Sequence, residues 1–416
     1  MPHPLVTILP ALFLAGLATT ASATPRNGGA DGEDSADLTT ALKGGRTWLN
    51  FRYRFEEVDD DGLPLNGTAS TLCTVLGYET GVWNGWRATV EFEDVSPIGA
   101  DNYNSTINGK TNRPVVADPD GSEVNQAFVT YEGFEDLVLR VGRREIKYDN
   151  FRFIRNVGWR QNHQSFRAAE ATFTGLGPAT LDYVYLFGVD RIFGDDSPKG
   201  NEQASSHLLH ATVDLEDAGT LVLYDYYLDF DDVLEGVSTN TAGVRYTGAV
   251  DVADDVALDY ALEFASQTDA GDNPNDVDQE YYLAQLGAKT AGVRVHVAME
   301  HLGGSGDPGD KFTTPLATLH AHNGFADQFL VTPDDGLDDL FFGVSGKVGK
   351  VKGSAVYHIF ESDSNNRDYG DEIDLVVSAP VYAGTTVGLK YAGFSGDDAL
   401  FDDVQKVMGW ISYTLL

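Results

Sequence analysis

The chain has 416 residues, with 28 Lys and Arg against 64 Asp and Glu, and a formal net charge of −36. Charge of that sign excludes nucleic acid as a partner, since such binding rests on neutralising phosphates. The one cysteine, Cys73, excludes an internal disulfide framework.

Residues 1–23 contain no Asp, Glu, Lys or Arg, and Leu5 to Thr20 form an apolar run broken by Pro10. Ala21-Ser22-Ala23 is a small-x-small cleavage signal, so 1–23 is expected to be a secretory signal peptide cut after Ala23. Residues 24–45 lack hydrophobic pattern and are expected to be a flexible lead-in. From residue 46 to 416 no stretch approaches 18 continuous apolar residues, so no transmembrane helix is expected.

The pattern there has period two. Leu49, Phe51, Tyr53 and Phe55 alternate with Asn50, Arg52 and Arg54; Trp86, Ala88, Val90 and Phe92 alternate with Arg87, Thr89, Glu91 and Glu93. The same alternation recurs at 181–187, 258–264, 293–300 and 372–378. Successive side chains of a strand point to opposite faces, so each is a strand with one apolar and one polar face. About 18 such segments follow, near 46–57, 69–80, 84–95, 123–132, 136–146, 165–175, 179–189, 205–216, 219–230, 239–250, 255–267, 279–290, 292–302, 339–348, 350–361, 370–380, 383–395 and 404–416. Most have the ten or so residues a tilted strand needs to cross a bilayer. Gly349-Lys350 and Ala291-Gly292 predict tight turns, whereas 96–122, 190–204, 268–278, 303–338 and 362–369 are long and polar. Short turns at one end and long loops at the other predict an all-β fold, a transmembrane antiparallel barrel of about 18 strands in an outer membrane. Lipid and lipopolysaccharide are its expected surroundings.

Between Arg140 and Arg167 stand seven arginines and one lysine against Glu145 and Asp149, a local surplus of six positive charges. Alternation puts Arg52, Arg54, Arg87 and Arg140 on the polar face, with Arg144 beside Arg140; Arg143 must point the other way unless the strand ends there, and a rim position is expected for it. Arg152, Arg155, Arg160 and Arg167 follow, and are expected to reach into the pore. Two readings stay open. Arginine forks fit carboxylates, so the set predicts an anion-selective constriction for small anionic or saccharide solutes. Alternatively Glu56, Glu91 and Glu93, with Glu145, neutralise the arginines in a cross-strand ladder.

Connections as long as 303–338 are seldom idle. It carries Thr314, Leu316, His320, Phe325 and Asp327, and is expected to fold into the lumen or over one mouth as a constriction. No catalytic triad, metal motif or phosphate loop appears, so neither enzyme activity nor a cofactor is expected. A barrel-type outer-membrane enzyme and a general non-selective porin are the alternatives.

Three stretches carry a resemblance. Gly142-Arg143-Arg144 leads to Arg152-Phe153-Ile154 and Trp159-Arg160-Gln161-Asn162; "FTTPLATLHAHNGFADQFLVTPDDGLDDLFFGV" spans 312–344; "YGDEIDLVVSAP" precedes "TVGLKYAGF". In these the chain resembles the alginate-export family of outer-membrane barrels. Phe325 stands where that family more usually has Trp, Phe166-Arg167 where Phe-Asp is common, and Cys73 and Val75 at slots that often hold arginine. The resemblance implies an 18-stranded, porin-like channel passing hydrophilic solutes passively.

Overall fold

The computed structural model describes residues 34–415; the expected signal peptide lies outside them. Eighteen strands run in chain order: β1 (Arg46–Asp60), β2 (Gly67–Glu79), β3 (Trp86–Asn102), β4 (Gly121–Phe134), β5 (Leu137–Arg144), β6 (Ser165–Leu176), β7 (Ala179–Asp190), β8 (Asn201–Asp214), β9 (Thr220–Leu228), β10 (Thr239–Ala253), β11 (Val256–Asp269), β12 (Asp278–Thr290), β13 (Val293–Leu302), β14 (Leu337–Val348), β15 (Val351–Glu361), β16 (Asp368–Tyr382), β17 (Thr385–Gly396) and β18 (Val404–Leu415). Each pairs antiparallel with the next, and β18 returns to β1 with Arg54 opposite Trp410 and Tyr53 opposite Ile411. The closed barrel leaves no strand edge, which is what lets strands cross lipid with every ladder hydrogen bond made internally.

The alternation read from the sequence divides the wall. Leu262 on β11, Leu286 on β12 and Val295 on β13 are each more than half exposed and face outward, where lipid would cover them. The residues between them, such as Glu263 and Arg245, are buried toward the lumen. Ala291 (φ 47°) and Gly292 (φ 78°) close β12–β13 with the left-handed backbone that a two-residue hairpin requires. The turns joining β4–β5, β6–β7, β14–β15 and β16–β17 share that end of the barrel, and 103–120, 145–164, 191–200 and 303–336 share the other.

Two local departures have physical causes. Residues 38–43 of the expected lead-in form a helix, α1 (Leu38–Lys43), capped by the Asp37 carboxylate on Thr40 N (2.9 Å) and tied to the wall by Gly81 N donating to Ala41 O (2.9 Å). Capping plus one buried residue, Ala41, fixes a turn too short to show periodicity. The second is Arg143. Gly142 has φ 137°, and a Cβ there would lie 2.3 Å from Ala127 O, so the backbone is locally distorted at this glycine although the pairing of β5 continues to Arg144. Arg143 therefore bonds Ser165 Oγ (2.7 Å) and pairs with Asp190 (3.2 Å) and Glu123 (3.4 Å), away from lipid.

Candidate functional site

The lumen is filled from the long-loop end. Tyr103 and Val116 of 103–120, Phe153, Ile154 and Trp159 of 145–164, and Phe312, Leu316 and Phe325 of 303–336 join one buried cluster with inward wall residues such as Tyr224 and Trp410. The last two segments also hydrogen-bond to one another. Arg155 N donates to Leu316 O (3.0 Å), Thr318 N to Phe151 O (3.1 Å), and the Gln164 amide to Leu316 O (3.2 Å).

Arg52 and Arg54 hold 145–164 by its backbone. Arg52 donates to Gly158 O (2.7 Å), to Arg160 O and to Gln161 Oε1 (2.7 Å), and Arg54 donates to Trp159 O. The Gln161 amide reaches back to Arg52 O (3.1 Å) and to the Thr71 hydroxyl (3.0 Å). The Trp-Arg-Gln element is thus a docking sequence for the barrel wall. Its indole is enclosed: the Arg54 guanidinium lies 5.0 Å from the ring, Lys390 Nζ 3.8 Å, His320 stacks at 4.9 Å and 9°, and Trp410 meets it edge-on at 5.7 Å. Cation–π contact of this desolvated kind contributes about 2 kcal/mol or more.

Segment 303–336 is held mainly by charge. Gly324 (φ 87°) has Glu372 Oε2 only 2.3 Å from where a Cβ would sit, so this residue must be glycine. The two amides that follow are captured by β16 carboxylates: Phe325 N donates to Asp374 (3.0 Å) and Ala326 N to Glu372 (2.7 Å). Asp327 then accepts from His320 Nδ1 (2.7 Å), Arg160 (3.0 Å) and Lys406 Nζ (2.7 Å). Burial opposes its ionisation, yet His320, Lys406 and Arg160 hold Asp327 well below the usual carboxylate range. Burial pulls His320 down to about 3; Asp327 works against this and Lys390, 3.1 Å from Nε2, adds to it. His320 is therefore neutral, with its proton on Nδ1 toward Asp327 and its lone pair toward Lys390. Thr314 and Leu316 are buried in the same insertion.

The structure distributes the sequence-predicted residues unevenly. Seven of the nine arginines face a carboxylate: Arg54 (Glu56 and Asp118), Arg87 (Glu79 and Glu132), Arg140 and Arg144 (both Glu170), Arg152 (Glu300, 3.2 Å), Arg160 (Glu56 and Asp327) and Arg167 (Asp190, 3.6 Å). Arg52 is satisfied by carbonyls. Arg155 is half-buried, with its guanidinium over the Phe151 ring (3.1 Å) and a bond to Asn156 (3.1 Å), and among the described residues no carboxylate lies within ion-pair distance of it.

The acids expected to pair with the arginines do not, apart from Glu56. Glu91 accepts from Trp48, Asn125 and Gln126; Glu93 faces His163 (3.0 Å); Glu145 faces Lys147 (2.6 Å) and His163 (3.0 Å). An irregularity in the β3–β4 register at Glu91 and Phe92 leaves Asn125 without a partner residue and puts both amides against Glu91. Glu170 lies directly across the ladder from Arg140 on the neighbouring strand β6, whereas the neutralising acids Asp118, Glu300 and Asp327 come from distant elements. Sequence reasoning also missed Lys390, Glu372 and Asp374; all three stand on inward positions of alternating strands, and that parity was their only signal.

The alginate-export family matches residues 47–297. No curated protein matches the chain. Among solved structures, Acinetobacter baumannii OccAB2 is similar with a TM-score of 0.70 and 16% identity, over 90% of this chain and 99% of that one. Pseudomonas aeruginosa OccK9 (OpdG) gives 0.69 and 13%, over 90% and 99%. Pseudomonas aeruginosa OccK11 (OpdR) gives 0.68 and 14%, over 90% and 97%. At these identities the likeness is one of fold, an 18-stranded barrel spanned end to end. With more than half its length matched in order and its quoted motifs docking the lumenal segments, the chain belongs to the alginate-export family of outer-membrane β-barrels.

Proposed function

We propose that this protein is a passive outer-membrane channel that favours small anions or acidic saccharides, reached through a cleaved signal peptide and seated in lipid and lipopolysaccharide. Family membership and the porin-like barrel support a channel. The observation that carries the anion preference is Arg155. Among the described residues it alone of the nine candidate arginines has neither an ion-paired carboxylate nor a carbonyl acceptor, Glu145 acting on it only from beyond ion-pair distance, and it is only half-buried. Arg140 and Arg144, which share the single carboxylate of Glu170, lie on the same inward side. A guanidinium in a narrow, partly dehydrated passage raises the local concentration of anions. Segment 303–336 is the constriction in this reading, with Asp327 its principal anchor.

A non-selective porin is the second reading, favoured by the pairing of the other arginines. Swelling of proteoliposomes separates the two. A uronate is expected to enter faster than its neutral hexose, and Arg155→Glu to remove that preference. Equal ratios for the unmutated protein and the variant would leave only the non-selective porin.

A further inference from the structure

Outside the lumen, one cluster has the composition of a metal site. His301 is the next-to-last residue of β13 and Asp338 the second of β14, directly opposite one another on the outer face. Asp363 approaches from the loop after β15. One donor atom from each lies within 4.8 Å of the other two. His301 Nδ1 is 2.6 Å from Asp338 Oδ1, its ring stacks on Tyr282 at 4.3 Å and 8°, and Gly304 N orients Asp363 through Oδ2 (3.1 Å). Every donor is thus held in place by a group that is not itself a ligand or by its neighbour across the strand.

The charge around the cluster is an independent observation. Asp338 stands in register with Glu361, and Glu361 pairs with Asp368 across a register irregularity, so three carboxylates follow one another across β14, β15 and β16. Like charges directly opposite destabilise a sheet. The basic residues of the neighbouring loops do not relieve them: Lys311 pairs with Asp334, and Arg367 with Asp335 and Asp398. A cation here would bring positive charge to a row of carboxylates that these basic residues do not contact.

We propose that His301, Asp338 and Asp363 bind a divalent transition-metal ion of the Zn²⁺ type. One imidazole and two carboxylates suit such an ion better than Mg²⁺ or Ca²⁺, and three protein ligands leave a fourth position for water. To coordinate through Nδ1, His301 carries its N–H on Nε2 and gives up its hydrogen bond to Asp338, whose carboxylate then faces the ion. Its position gives it a consequence. His301 and Asp338 stand two residues outside the ends of segment 303–336, and Asp363 joins them from the next loop. The ion therefore staples the root of the inserted segment, whatever solute the channel carries.

Calorimetric titration of the full chain in detergent with Zn²⁺ tests this, beside His301→Gln, Asp338→Asn and Asp363→Asn, each checked for the folded barrel by heat-modified gel mobility. The unmutated protein is expected to take up one ion saturably, and each variant to bind about tenfold more weakly or worse. A Co²⁺ absorption band that shifts in His301→Gln gives a second readout on folded protein. Zn²⁺ should also slow trypsin cleavage at Lys311 in the unmutated protein and not in His301→Gln. Absence of saturable binding, or equal affinity in all three variants, overturns the site; binding without protection of Lys311 overturns the staple.

Discussion

Asp327→Asn removes the charge on which segment 303–336 most depends. The carboxylate accepts from His320, Arg160 and Lys406 at 2.7, 3.0 and 2.7 Å. Arg160 keeps Glu56, and His320 keeps a hydrogen-bond acceptor in the amide, but Lys406 has no other ion pair among the described residues and stays buried. Breaking a buried pair from one side costs about 3–5 kcal/mol. With Arg160 still paired the lower end applies, and about 3 kcal/mol raises the released population of the segment roughly a hundredfold. Single-channel recording in planar bilayers should show larger or more frequent open levels, and limited proteolysis should cut 303–336 faster. Asp327→Asn/Lys406→Met, which leaves no orphaned charge, should recover much of the loss. Identical conductance and proteolysis in the unmutated protein and Asp327→Asn would refute the idea that this carboxylate anchors the insertion.

Acidification should act in the same direction. His320 and His322 are both pulled down to about 3, chiefly by burial, whereas in a released segment they titrate near 6.5. The released state then binds more protons, so docking weakens as pH falls from about 6.5 toward 3, by at most about 1.4 kcal/mol per pH unit for each histidine. Open probability measured between pH 7 and pH 5 should rise, and His320→Gln should flatten the dependence. Gly324→Ala forces a Cβ against Glu372 at a positive φ, at a cost of about 1–3 kcal/mol; protease protection of 303–336 should drop while the barrel still folds. Leu262→Arg puts a charge on the outward face midway along β11, and refolding into vesicles should show about 2–4 kcal/mol of destabilisation.

The wall was legible because its physics is local. Alternation of Leu258, Tyr260, Leu262 and Phe264 with Asp259 and Glu263 is written in adjacent residues, and every expected segment has its strand. The filling of the lumen was not. Stretch 145–164 has no period, so its arginines read as pore lining. Their partners stand far off in the chain: Arg160 reaches Glu56 across 104 positions, and Arg152 reaches Asn323 across 171. A single sequence counts charges and assigns parity, but it does not say which acid meets which base. The surplus of six between Arg140 and Arg167 was correctly counted, yet Glu170, Glu300, Asp327 and Asp190 absorb most of it. Glu372 and Asp374 show the same limit. Their shared inward face was visible, whereas their use as acceptors for the backbone of Phe325 and Ala326 depends on how the aperiodic segment between β13 and β14 folds back on the wall.

The proposal that the unneutralised charge sets what passes is read most directly by reversal potential. Across a salt gradient in planar bilayers the unmutated channel should prefer anions, and Arg155→Glu should move the reversal potential toward cation preference. A cation-preferring unmutated channel, or a reversal potential unmoved by Arg155→Glu, would contradict the account.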